Sequence, residues 1–412
     1  MRCSILIPVL CVALAPVATA GENWPQFRGP RGDGTSEAND LPVTWSESEN
    51  IAWKTPIHGK AWSSPVIWGD QIWMTTATEG GHERYAVCVD RETGKIVHDQ
   101  LLYTIDEPQF CHVFNSYASP TPVVEQGRVY VHFGSAGTAC LDTSTGKVLW
   151  SREDIECDHF RGPGSSPILY GDVLVVAYDG YDKQFVVAFD KITGNTVWRR
   201  DRNIAYETDS GDWRKAYSTA TVIEVDGKPQ LVSPSAGATI AYEPLSGDEL
   251  WRINHGGMNA AARPLFADGR LYISTGYGGF HLFSMKVGGQ GDVADDVLWQ
   301  TKQATPTRSS QLLIDDHIYM VSDAGVASCV DAQTGKTLWK KRIASDCTAS
   351  PLYAAGRIYF AEQEGKTHVV AAKPKFELLA TNELDDGCMA SPAVYNNAIY
   401  LRTKTHLYRI EK

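Results

Sequence analysis

Beyond residue 20 the chain has no apolar run near the ~20 residues of a membrane-spanning helix, and no segment keeps a 3.6-residue apolar period long enough for a substantial helix. The first absence excludes helical membrane spans in the mature chain. The second excludes a nucleotide site built from a Gly-rich loop opening a helix. Positive charge is also short: 38 Lys and Arg against 49 Asp and Glu leave a formal charge of −11. That balance excludes the basic footprint of a nonspecific nucleic-acid binder and disfavours docking on anionic lipid. No His, Cys or acidic cluster has metal-ligand spacing, so no metal is predicted. Apolar residues are not lacking. At 43%, with 10% aromatic, they suffice for a sizeable core and exclude wholesale disorder.

Residues 1–20 read as a signal peptide. Arg2 is the positive start, 4–18 is apolar, and Ala18-Thr19-Ala20 precedes Gly21 as a small-residue cleavage site. Cys11 follows Val9-Leu10 rather than a small residue, so ordinary cleavage fits better than lipidation. The expectation is an exported protein, periplasmic or extracellular, and monomeric. Of the cysteines left after cleavage, Cys88, Cys140 and Cys329 recur at one position of a repeated strand and read as small core residues. The other four stand at matching positions in loops of successive repeats. Two bridges, Cys111–Cys157 and Cys347–Cys388, are therefore expected in an oxidising compartment.

The repeat itself is best seen at 139–150, Ala-Cys-Leu-Asp-Thr-Ser-Thr-Gly-Lys-Val-Leu-Trp. It returns at 187–198, 240–251 and 328–339, and at 87–98 with His98 in place of Trp. An apolar strand leads into an Asp-x-x-Thr-Gly turn and a Trp-bearing strand, with Gly supplying positive φ. Upstream of each hairpin lies a short strand, often opened by Ser-Pro (Ser64-Pro65, Ser166-Pro167, Ser350-Pro351, Ser391-Pro392), and an alternating β-branched and aromatic strand. Four short strands every 40–50 residues predict an all-β fold, an eight-bladed β-propeller of four-stranded antiparallel blades. The last unit lacks a fourth strand. Residues 50–56, which resemble one, should supply it and close the ring. The domain plan is a signal peptide at 1–20, an extended Pro/Gly-rich leader at 21–48, and a single propeller at 49–412. Trp24 and Phe27 should tuck the leader against the body. Trp53, Trp150, Trp198, Trp251, Trp299 and Trp339 share one repeat position and should fill the space between blades.

Connections in such blades alternate between two faces. One carries the short, uniform turns. The other carries long, variable loops, mostly in blades one to five, where function is expected. The candidate binding residues are His112, Asp158, His159, Arg161, Asp212, Trp213, Arg214, His255 and Arg263, with Arg308 at the start of blade six. Acid pairs such as Asp209 and Asp212, or Glu153 and Asp154, raise a glycan hydrolase as a further reading. No catalytic residue is assigned.

The motif A-x-D-x-x-T-G-x-x-x-W, with Cys for Ala in two of its copies at 139–150, 187–198 and 328–339, resembles the pyrroloquinoline-quinone (PQQ) repeat of eight-bladed quinoprotein propellers. The resemblance spans about 50–412. One branch holds quinoprotein dehydrogenases, and another holds non-catalytic, BamB-like periplasmic propellers. The leader Trp24-Pro25-Gln26-Phe27-Arg28-Gly29-Pro30 is similar to the start of secreted PQQ-like repeat proteins. The dehydrogenase branch implies a Ca²⁺ site, an Asp base and often a disulfide between adjacent cysteines. This chain has no Cys-Cys pair, and no cofactor set matches residue by residue. The reading is an exported, non-catalytic propeller binding a protein or polysaccharide partner in the cell envelope through its long-loop face, without a cofactor. The alternative is a PQQ- and Ca²⁺-dependent oxidoreductase.

Overall fold

The computed structural model describes residues 22–279 and 281–412; the signal peptide expected at 1–20 lies outside them. Eight antiparallel sheets form an eight-bladed β-propeller. They span 66–104, 123–152, 168–201, 221–254, 265–301, 312–342, 352–383, and 393–410 together with Ile51–Pro56. The only helical segments among the described residues are the 3₁₀ turns Gly211–Arg214 and Ala294–Asp296. Ile51–Pro56 pairs antiparallel with His406–Ile410, so the N-terminal strand completes blade eight and closes the ring.

The repeat explains the blade packing. In four turns Asp Oδ1 accepts from both the backbone N–H and the hydroxyl of Thr: Asp90 with Thr93, Asp142 with Thr145, Asp190 with Thr193, and Asp331 with Thr334, all at 2.7–2.9 Å. A β-bulge in the fourth strand leaves the residue before the Trp unpaired, as at Leu149 and Val197. The bulge turns that residue outward and aims the indole between blades. Trp150 Nε1 then donates to the Lys191 carbonyl of the next blade (3.0 Å), and Trp53, Trp198, Trp299 and Trp339 make the equivalent bond at 3.0–3.1 Å. The turn glycine lies flat on the preceding ring. Gly194 has φ +74°, and a Cβ there would sit 2.7 Å from Trp150. Blade five has no such turn, and Trp251 bonds Gln230 Oε1 of its own blade instead (2.8 Å). The insert in blade five supplies Gly291–Asp292 as a parallel strand on the edge of blade four.

On the channel side, the Ser-Pro positions form a belt. Each backbone N–H donates to the hydroxyl of the next blade: Ser64 to Thr121, Thr121 to Ser166, Ser166 to Thr219, Ser310 to Ser350, Ser350 to Ser391, and Ser391 to Ser64, at 2.9–3.1 Å. The proline that often follows has no N–H to leave unpaired. Blade five breaks the belt, because Arg263 occupies its position. The Arg263 N–H still donates to Ser310 (2.9 Å).

The leader is more than an extended tail. It crosses the channel near the ends of the inner strands closest to the uniform turns. Trp24 forms a bridge with Ile67, the Pro25 carbonyl accepts from Val124 N–H (2.8 Å), and Thr35–Ser36 pairs parallel with Tyr353–Ala354. The inner strands thereby gain partners for backbone groups that would otherwise face the channel. Trp45 then stacks on Tyr359 (6.2 Å) in the core shared by blades seven, eight and one.

Both expected disulfides are corrected: Cys111, Cys157, Cys347 and Cys388 are free thiols. Matching repeat positions do not converge here. The Cys111 thiol points at the Arg161 carbonyl (3.6 Å), whereas that of Cys157 points at the Lys183 carbonyl (3.8 Å). Cys347 packs in the core of blades six and seven, and Cys388 in the separate core that Trp24 enters.

Candidate functional site

The loops entering the inner strands surround a chamber of about 470 Å³ at the mouth of the channel. Its floor is Phe27 of the leader, and Met258 and Met389 flank it. Trp62, Tyr217 and Tyr277 contribute aromatic walls, and the belt residues Ser64, Thr121, Ser166, Thr219, Ser350 and Ser391 line the depth. Phe114 roofs part of it. Its ring lies 4.3 Å from the Arg308 guanidinium, so the loop entering blade two meets the loop entering blade six across the ring. Trp62 Nε1 anchors that arch on the Phe114 carbonyl (3.0 Å). Among the described residues no Asp or Glu lines the chamber.

Of the residues expected from sequence, His112, Arg161 and Arg308 line this chamber. Asp212 stands behind Arg161 and accepts from Nε and Nη2 (2.8 and 2.6 Å), a bidentate pair that fixes the guanidinium plane. Arg308 is held by two separate carboxylates, a hydrogen bond from Nη2 to Asp346 (2.9 Å) and an ion pair with Asp323 (3.1 Å). Trp213 is 43% exposed at the rim, as are Tyr277 at 59% and Val113 at 80%, giving the mouth an apolar border. Arg214 turns away to the Thr208 carbonyl (2.7 Å) and the Tyr206 ring. Asp209 is fully exposed, and Asp154 is tied to Arg152 (2.6 Å), so neither acid pair faces a shared cavity.

Four candidates lie elsewhere. Asp158 and His159 belong to a second cleft of about 440 Å³ between blades two and three. His159 is buried, and its Nε2 accepts from Ser135 N–H (3.0 Å). His255 is buried too, bonded to Thr239 Oγ1 (3.0 Å) and the Gly256 carbonyl (2.7 Å). Burial pushes both imidazoles down to about 4, which keeps them neutral. Arg263 lies under the leader and donates to the Phe27 carbonyl (2.8 Å). These side chains fix loops instead of facing the solvent.

Sequence reasoning missed Phe27 as the floor, and Trp62, Phe114 and Tyr217 as walls. It also missed Lys215, buried behind Tyr217 and bonded to its hydroxyl. Desolvation lowers that ammonium to about 8. Among the described residues no group of three or more His, Cys, Asp or Glu could hold a metal ion, and no helix is long and apolar enough to cross a membrane.

A family model described as outer membrane protein assembly factor BamB matches residues 87–341. This chain belongs to that PQQ-repeat propeller family. Its members include the BamB of Yersinia pestis, 22% identical over 62% of this chain and 64% of the relative. The BamB of Shewanella oneidensis is 21% identical over 51% of this chain and 65% of the relative. The matched part thus spans less than two thirds of either relative. Among solved structures, BamB from Moraxella catarrhalis superposes with a TM-score of 0.61 at 13% identity, covering 87% of this chain and 99% of that one. Quinohemoprotein alcohol dehydrogenase from Comamonas testosteroni gives 0.64 at 12% identity, covering 94% and 80%. At such identities the likeness shows the fold alone, and one fold hosts both a dehydrogenase and an assembly factor.

Proposed function

We propose that this chain is an exported, non-catalytic scaffold of the cell envelope that holds another protein at its chamber and rim. The observation that carries the reading is the composition of that mouth. Two guanidiniums, each fixed by a carboxylate behind it, stand among exposed aromatic and aliphatic side chains, a pattern suited to protein recognition. The relatives are named as outer membrane protein assembly factors, which favours a protein of that machinery over a polysaccharide.

The dehydrogenase reading has less support. A quinone of that kind is held with Ca²⁺, a hard cation that takes several oxygen ligands, carboxylates above all. Among the described residues the chamber lining offers no carboxylate, and Asp212, Asp323 and Asp346 beside it are committed to Arg161 and Arg308. The residues present do not fit the group.

The test is capture from envelope extract with the purified chain as bait. Wild type and Lys147→Glu, on the uniform-turn face, should retain the same protein. Arg161→Ala combined with Trp213→Ala should lose it. Equal capture by all three baits would refute the reading, as would saturable PQQ binding with dye reduction.

A further inference from the structure

Beneath the leader the channel encloses two guanidinium groups, Arg28 and Arg263, 2% and 3% exposed. Both grip one Gly-rich turn. Gly32 lies on the Arg263 guanidinium and Gly34 against that of Arg28, so neither position has room for a Cβ. Arg263 is well satisfied, by the Phe27 carbonyl (2.8 Å), Thr221 Oγ1 (3.0 Å) and Gln26 Oε1 (3.3 Å). Arg28 is not. Its Nη2 reaches the backbone carbonyls of Asp33 and Gln311, while Nε and Nη1 have no partner among the described residues. Gln311, fully buried and bonded to Arg28 through its carbonyl, leaves both side-chain polar atoms unpaired.

The charge is unbalanced as well. Asp33 is the one carboxylate that acts on both guanidiniums, and its partly exposed side chain is already engaged by Arg31 and Thr35. Burial lowers Arg28 to about 9 and Arg263 to about 10, so both stay charged at neutral pH. An enclosed water would satisfy the free N–H groups but leave the excess charge in a low-dielectric channel. A bound anion meets both needs.

We propose that Arg28, with Gln311 beside it and Arg263 across the turn, binds a small monovalent inorganic anion such as chloride. The anion fastens the leader into the channel and so holds Phe27 in place as the chamber floor. Burial of Arg28 and Gln311 beneath the Gly-rich turn favours a small ion over a larger oxyanion or an organic carboxylate. The site is distinct from the chamber and stands whether or not the chamber binds a protein.

Bromide replaces chloride at such sites and scatters anomalously. Crystals of the full chain grown in sodium bromide should show an anomalous peak within hydrogen-bond distance of Arg28 Nε or Nη1. Thermal melts at constant ionic strength should give a saturable rise in Tm as chloride replaces gluconate, a bulky organic anion. Arg28→Gln should abolish the rise, whereas Arg31→Gln, on the exposed side of the same turn, should keep it. Water density at Arg28 without an anomalous peak would overturn the proposal even if Arg28→Gln fails to fold. So would identical melts in chloride and gluconate.

Discussion

On one face of the ring, four turns repeat the same Asp–Thr hydrogen bonds, and a ring of the preceding blade packs on each turn glycine, Trp53, Trp150 and Trp299 on three of them and His98 on the fourth. On the other face blades six and seven still repeat one pattern, Ala344 and Leu384 N–H donating to the Gly325 and Gly365 carbonyls, but the long loops of blades one to five are held by contacts of their own. Arg202 and Asp179 form a fully buried bidentate pair (2.7 Å for both bonds) that ties blade three to Ser233 and Ser235 of blade four. Phe114 reaches across to Arg308, and His159 props a single turn. The first face solves one packing problem many times, so its residues carry stability. In blades one to five the second face solves each long loop separately. Such loops can diverge without disturbing the ring, which makes them the natural place for recognition.

Both faces depend on closure. Removing residues 49–57 should abolish the cooperative fold, read as loss of a sharp thermal transition and of the monomer peak on size exclusion. A truncated chain that stayed soluble and cooperative would separate the faces from the ring. Next in size come two single substitutions, one from each face. Trp198→Ala should cost about 3–5 kcal/mol by opening a cavity between blades. Asp179→Asn should cost a similar ~3–5 kcal/mol by leaving Arg202 buried without its partner charge. Denaturant titration measures both, and a loss under ~1 kcal/mol at either would show that it is not a structural joint of its face.

Acid should distinguish the faces more gently. His132, His159 and His255, all on the long-loop side, are held neutral, at about 3, 4 and 4. An unfolded histidine titrates near 6.5, so between roughly pH 6.5 and 4 the unfolded chain binds more protons than the folded one. Stability should therefore fall as pH drops through that window, and His255→Gln should flatten the slope. The turn carboxylates respond later. Asp142, lowered to about 2 by bonds from Ser144 and Thr145, keeps its contribution until pH falls below the unfolded value of about 4. Melts that are flat from pH 7 to about 4 would contradict this order.

The uniform face was legible in the sequence because repetition exposes it. Asp142, Gly146 and Trp150 recur, and the Trp-bearing segment at 51–56 could be matched to a missing strand. The channel was harder to read. Phe27 has no period, and its role depends on where the leader crosses. Arg263 carried a signal that residue type alone hid: it occupies a position where most blades have Ser or Thr, and this marks it as a tie to the leader, not a rim residue. The histidines misled for a related reason. In long loops they suggested a surface, whereas His159 and His255 fold down onto neighbouring turns. The cysteine pairs failed because equivalent positions in successive blades do not converge: Cys347 and Cys388 lie in separate cores, and Cys111 and Cys157 point at different carbonyls.

The central claim, that partners meet the long-loop face, is tested most directly by photo-crosslinking in cells producing the full chain. A benzophenone side chain would replace Val113 or Tyr277 at the chamber mouth, and Ile192 or Leu245 on the uniform turns, all four well exposed. The prediction is a discrete protein adduct from positions 113 and 277 and none from 192 and 245. Adducts confined to 192 and 245 would place the partner on the opposite face and contradict the account.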